Sequence, residues 1–242
     1  MKSLTAVAAA CMAAATVSAQ MMALQSDTRP AQPPDEPVLI RMTVTPQDAP
    51  EPALKYRLLP SLADRTPGNA VLMYYLAQQY VNAQDKGALR ERVESLLETP
   101  LVDLPHREVR DLLERNAQVL RHVELGSLRE NADWGFAVEE GARMSLPPLS
   151  DFRLMAKLLA LRARVEISQG LFDQAIHTIS IGMAFGRHVG NGGPTLINGL
   201  VGIAIESLML ERVQELIDQG GPNLYWALAE LPDPLVGLRH CL

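Results

Sequence analysis

The stretch from Phe152 to Val189, FRLMAKLLALRARVEISQGLFDQAIHTISIGMAFGRHV, decides the fold. In its first half Phe152, Ala156, Leu159 and Ala163 share one helical face, and Leu154, Leu158, Leu161 and Val165 share a second. Arg153, Lys157 and Arg164 fill the remainder, as a polar edge. In its second half Phe172, Ala175, Ile176, Ile179 and Met183 share one face, with His177, Ile181, Ala184 and His188 opposite. Apolar residues at these intervals mark helices. A helix that is apolar on two sides needs a neighbour on each to exclude water. Stacked helical hairpins supply such neighbours. The pattern predicts helices over 151–168 and 172–189, turning at Gly170, inside an all-α array of antiparallel hairpins.

Working outward, the same punctuation predicts helices near 69–82, 86–98, 105–130, 195–219 and 223–230. Thr66-Pro67-Gly68-Asn69 precedes the first, Pro100 stops the second and Pro105 opens the third. On that third helix Val109, Leu112, Leu113, Asn116, Leu120 and Val123 fall on one side. Gly135 and the run Gly141 to Pro148 mark a long connection. Upstream, residues 28–60 hold eight of the 17 prolines. Proline fixes φ and removes a donor, so this part reads as an extended tether. Within it Val38 to Val44 is β-prone and is expected to cover the helical body, because no partner strand is visible downstream. Met1-Lys2, the apolar run Leu4 to Val17 and the small residues Val17-Ser18-Ala19 form the three-part pattern of a secretory signal. The plan is therefore a signal peptide over 1–19, a tether over 20–52 and a helical domain over 53–242. An exported location follows, in the periplasm, the cell envelope or outside the cell.

A net charge of −6 argues against nucleic acid as a partner, since phosphate binding needs a basic surface. The signal run is too short to span a bilayer, and the mature chain holds no transmembrane candidate. The two cysteines, Cys11 and Cys241, preclude a disulfide-rich scaffold, and loss of the signal leaves Cys241 alone. No zinc-protease helix, nucleophile elbow or phosphate loop occurs. His177 and His188 share a helix but stand about 16 Å apart at 1.5 Å per residue, too far for one metal ion. No catalytic residue, metal ligand or cofactor is assigned.

Several residues invite two readings. Gly190-Asn191-Gly192-Gly193-Pro194-Thr195 is first a turn between helices. With Arg187 and His188 beside it, it could also contact an anion. Glu206 falls within Leu196 to Leu210, an apolar run that reads as a central buried helix. A buried carboxylate needs a partner or takes a proton. Glu166 has Arg162 one turn earlier. Trp134 and Phe136, in the connection between the helical halves, either plug the gap or, if exposed, anchor a partner. Tyr225 and Trp226 pose the same choice. The leading expectation is a non-enzymatic interaction or scaffold module for a protein or peptide, contacted through Trp134, Phe136, Arg187, His188, Tyr225 and Trp226. The alternative is an enzyme or small-ligand-binding bundle using Glu206.

Leu159, Ala163, Gly170, Phe172, Ala175, Ile179 and Gly182 resemble a single tetratricopeptide repeat in spacing. The resemblance departs where Glu166 and Arg187 replace its aromatic and its terminal proline. A broader resemblance runs through Pro52 to Pro60, Thr66 to Ala70, Asp133-Trp134-Gly135, Arg187 to Gly190, Pro194 to Ala204 and Pro222 to Leu228. These segments resemble a family of exported α-helical proteins from planctomycete bacteria. That resemblance implies export and a helical fold, supplies no activity, and leads us to expect a longer chain than 242 residues.

Overall fold

The computed structural model describes residues 42–48, 55–135, 148–193 and 195–232. The signal, most of the tether, Phe136 and Cys241 lie outside them. The chain divides into Met1–Thr43 and Val44–Leu242, and every element below belongs to the second unit. The described residues form an all-α fold of eight α-helices. These are α1 Val71–Asn82, α2 Lys86–Glu98, α3 His106–Arg115, α4 Ala117–Ser127, α5 Leu149–Ser168, α6 Phe172–Asn191, α7 Leu196–Asp218 and α8 Tyr225–Ala229. A 3₁₀ turn, Leu101–Asp103, joins α2 to α3. Among these residues no helix is long and apolar enough to cross a membrane.

Local chemistry sets the boundaries. Asp85 caps α2 by accepting from the backbone N–H groups of Gly87 and Ala88. Thr195 does the same for α7 through Asn198 N–H. Gly170 ends α5 at φ 71, where a side chain would be strained, and Leu171 N–H reaches back to the Glu166 carbonyl. The helix expected over 105–130 is two helices. Asn116 sits between them at φ −102 and ψ 15, with its amide donating to the Leu112 carbonyl and its own oxygen accepting from Gln84. Asparagine competes with the backbone for hydrogen bonds, and here that competition breaks the helix.

The central helix is α5, where fourteen of 20 residues are buried; it packs against α1, α2, α3, α4, α6 and α7. The run expected to be central, α7, buries ten of 23 and leaves Leu196 and Ile197 exposed. The prediction for 196–210 is corrected accordingly: its inner face is lined by small and medium residues, and its outer face meets solvent. Arg164 is a second correction. It belongs to no polar edge, because it is 3% exposed and donates to the carbonyls of Leu96, Leu97 and Thr99 at the end of α2. A third concerns strands. Thr66–Asn69 (β1) pairs in parallel with Arg129–Asn131 (β2), placing a short two-stranded ribbon where no strand pairing was visible in the sequence.

The tightest approach joins α6 to α7. Gly182, Gly186 and Gly190 recur every four residues along α6; Gly202 of α7 packs against the last two, and Met209 against Gly182. A methyl group on Gly202 would come 2.6 Å from Gly190 Cα and 2.8 Å from the Gly186 carbonyl oxygen. Those are backbone atoms that cannot rotate aside. Gly202→Ala is therefore expected to destabilise the protein by about 1–3 kcal/mol, as overpacking does. Urea unfolding would measure it, and an unchanged midpoint would refute the close contact.

Candidate functional site

The first functional side chains follow from one aromatic cluster. Tyr74 of α1 is fully buried and stacks 5.9 Å from Trp134, with Phe185 at 4.8 Å and Phe152 at 6.4 Å. Gly126 of α4 makes room, since a Cβ there would lie 2.5 Å from the Tyr74 ring. Trp134 is 8% exposed and its indole N–H donates to the His188 carbonyl at 3.1 Å. It plugs the junction between the helical halves, so the idea of Trp134 as a surface anchor is withdrawn. The C-terminal pair is likewise occupied. The Trp226 indole N–H donates to the carbonyls of Gln47 and Asp48, and Asn223 donates to that of Thr45. Trp226 is half-buried, and its polar edge is spent inside the chain.

His188 is held by its ring Nδ1. Its Nδ1 lies 2.6 Å from the Tyr74 hydroxyl, and the ring bonds the Arg129 backbone. Burial, with the nearby Arg65 and Arg187 charges, pushes its pKa down to about 4.

Beside it opens a cavity of about 300 Å³. Its walls include Arg65, which follows the Ser61–Asp64 turn, Arg129 of β2, and Arg187, His188 and Asn191 of α6. The short β ribbon brings the first two cations to the end of α6. Backbone carbonyls orient two of them: Arg65 donates to Pro60 and Arg129 to Pro67. Arg129 Nε is buried without a hydrogen-bond partner. Among the described residues none of the three guanidinium groups forms an ion pair. Sequence reasoning singled out Arg187, His188 and the glycines after them. It missed Arg65 and Arg129, which only the tertiary fold delivers.

Glu206 lies on the other side of α6, 2% exposed, with its side chain against Gly186. Its Oε1 has no hydrogen-bond partner, and burial raises its pKa to about 8 against the pull of Arg187. A catalytic Glu206 requires a cavity and a titratable neighbour at hydrogen-bond distance. It is not among the residues lining the cavity, and no described residue is hydrogen-bonded to it. Glu166, by contrast, has the expected partner, Arg162 at 2.9 Å, and also accepts from Thr178. His177 pairs with Glu124 at 3.2 Å, which raises its pKa.

A second surface was not singled out in the sequence. On α1 the residues Leu72, Tyr75, Leu76 and Tyr80 are 62%, 38%, 36% and 43% exposed and fall on one face. The helix, VLMYYLAQQYVN, carries no charged residue. Tyr75 stands edge-on to Trp134, and Tyr80 stacks on His122, so both rings rest on fixed supports.

No family model, curated protein or solved structure matches the chain. Among the described residues no group of His, Cys, Asp and Glu is placed to hold a metal ion.

Proposed function

We propose that the protein is an exported, non-catalytic interaction module, built from tetratricopeptide-like hairpins, that docks a protein or peptide on the outer face of α1. One observation carries the reading: the exposed face of α1 is a stripe of leucine and tyrosine, interrupted by Gln79, on an uncharged helix. Charged residues make up 21% of the chain, so a surface helix without one is unusual by the protein's own standard. Partner surfaces are depleted in charge at their centre and enriched in tyrosine. The rings supply large apolar area at low entropic cost, and their backing by Trp134 and His122 fixes them in advance. The leader pattern of residues 1–19 and the resemblance to exported planctomycete proteins support export. The α5–α6 pair, with its glycine turn, supports the repeat-like reading.

The test is capture from the exported fraction of the native cell, using the full chain and a Leu72→Asp/Tyr80→Asp variant. The variant alters exposed side chains, so its helicity and unfolding midpoint should match the parent. The expected result is a partner retained by the parent and lost, by about tenfold or more, with the variant. A partner captured equally by both proteins would overturn the proposal.

A further inference from the structure

From three guanidinium groups around one cavity, none of them in an ion pair among the described residues, we infer that the space between β2 and the end of α6 is a binding site for a small organic phosphate monoester. The site is separate from the α1 face and does not depend on its role.

Charge comes first. Arg65, Arg129 and Arg187 line the cavity, and the acidic group on its wall is Glu130, an exposed residue. His188 adds no charge near neutral pH. The wall thus has an excess of two positive charges, and a phosphate monoester carries about −1.5 to −2 at pH 7. Size comes second. A cavity of about 300 Å³ is larger than a bare phosphate ion requires and sits at the small end of ligand pockets. Geometry comes third. The arginines arrive from three separate elements, the 61–65 segment, β2 and α6. Each guanidinium presents a planar fork, and the three terminal oxygens of one phosphate can serve several forks at once. A dicarboxylate would divide the same charge between two distant ends. Preorganisation comes last: the Pro60 and Pro67 carbonyls hold Arg65 and Arg129, and the buried Arg129 Nε awaits an acceptor.

Gly192 shapes the wall. A side chain there would strike the carbonyls of Ala132 and His188 and the Trp134 indole nitrogen. The glycine therefore lets the end of α6 close on the β2 side of the cavity. This is how the glycine-rich turn noted in the sequence comes to serve an anion.

The experiment is calorimetric titration of the full chain at pH 6.5 and low salt with glycerol 3-phosphate, inorganic phosphate and succinate. Saturable binding of glycerol 3-phosphate is expected, at least about tenfold tighter than that of succinate or of inorganic phosphate. Arg187→Gln should weaken it by about tenfold or more. Among the described residues Arg187 makes no hydrogen bond, and Glu206 beside it is protonated at this pH, so the substitution should leave the unfolding midpoint unchanged. Arg65→Gln is the second variant and should weaken binding likewise. Absence of saturable binding, a succinate affinity equal to that of the monoester, or wild-type affinity in both variants would each overturn the assignment. Equal affinity for inorganic phosphate would overturn its organic part.

Discussion

Arg164→Met is expected to destabilise the protein by about 3–5 kcal/mol, the range for removing one member of a buried ionic network. At roughly 2–4 °C per kcal/mol for a chain of this size, the thermal midpoint should fall by on the order of 10 °C. Arg164 reaches from the C-terminal part of α5 to the end of α2. There it donates to Leu96 and Leu97 at 2.9 Å and to Thr99 at 2.6 Å, while its Nε donates to Glu215 of α7 at 3.1 Å. The last carbonyls of a helix have no partner within it. One guanidinium satisfies several of them and ties three helices together. Methionine matches the volume but donates nothing, so buried carbonyls lose their partners and Glu215 keeps Arg212 alone. Arg164→Lys should recover part of the loss, because an ammonium keeps the charge but not the planar fork. Chemical unfolding of both variants would check the order. A methionine variant as stable as the parent would show that the network contributes nothing net.

The same residue marks the limit of what the sequence discloses. The α5–α6 pair was legible because its signal is local: apolar residues on two faces, a glycine between, all within forty positions. Arg164 read as a polar edge because every partner lies more than fifty positions away in the chain. The β1–β2 ribbon escaped for a similar reason. Its strands are four and three residues long and their pairing partners are over sixty positions apart, so alternation has no room to show. Half of the arginine-lined cavity was readable in Arg187, His188 and the glycines; Arg65 and Arg129 are brought there by that ribbon. Asn116 was placed on an apolar face correctly and is indeed buried, but its power to break the helix lies in one side-chain bond to a backbone carbonyl. The uncharged character of α1 was visible in the sequence, whereas which of its faces meets solvent depended on where Tyr74 found its pocket.

The stability of the protein is also expected to fall by about 2 kcal/mol between pH 6.5 and pH 8, and Glu206→Gln should remove most of that fall. The carboxyl of Glu206 is raised to about 8 from an ordinary 4.5. The folded protein therefore keeps a proton that the unfolded chain has lost, and stability present below pH 4.5 is withdrawn as the pH rises through 8. His188 works the other way. Its pKa is lowered to about 4 from 6.5, so its contribution is complete above pH 6.5 and is withdrawn as the pH falls through 4. Each group changes stability by about 1.4 kcal/mol per pH unit inside its own window. Between pH 4.5 and 6.5 the two slopes oppose and cancel. Above 6.5 the Glu206 slope gives most of the fall in the wild type, and the half-exposed His177, raised by its pairing with Glu124, adds a smaller fall of the same sign. Glutamine has nearly the same shape and sits against Gly186 without a titrating proton. In that variant only the small His177 part of the alkaline slope remains, and the His188 slope is uncovered. Stability should then drop by about 3 kcal/mol as the pH is lowered from 6.5 to 4, because a charged imidazole is penalised by burial and repelled by Arg65 and Arg187. Urea unfolding of both proteins across pH 4–8.5 measures the slopes directly. A wild type whose stability is level from pH 6.5 to 8 would mean that Glu206 has an ionised partner or access to water. A glutamine variant that keeps the fall would place its origin in another group.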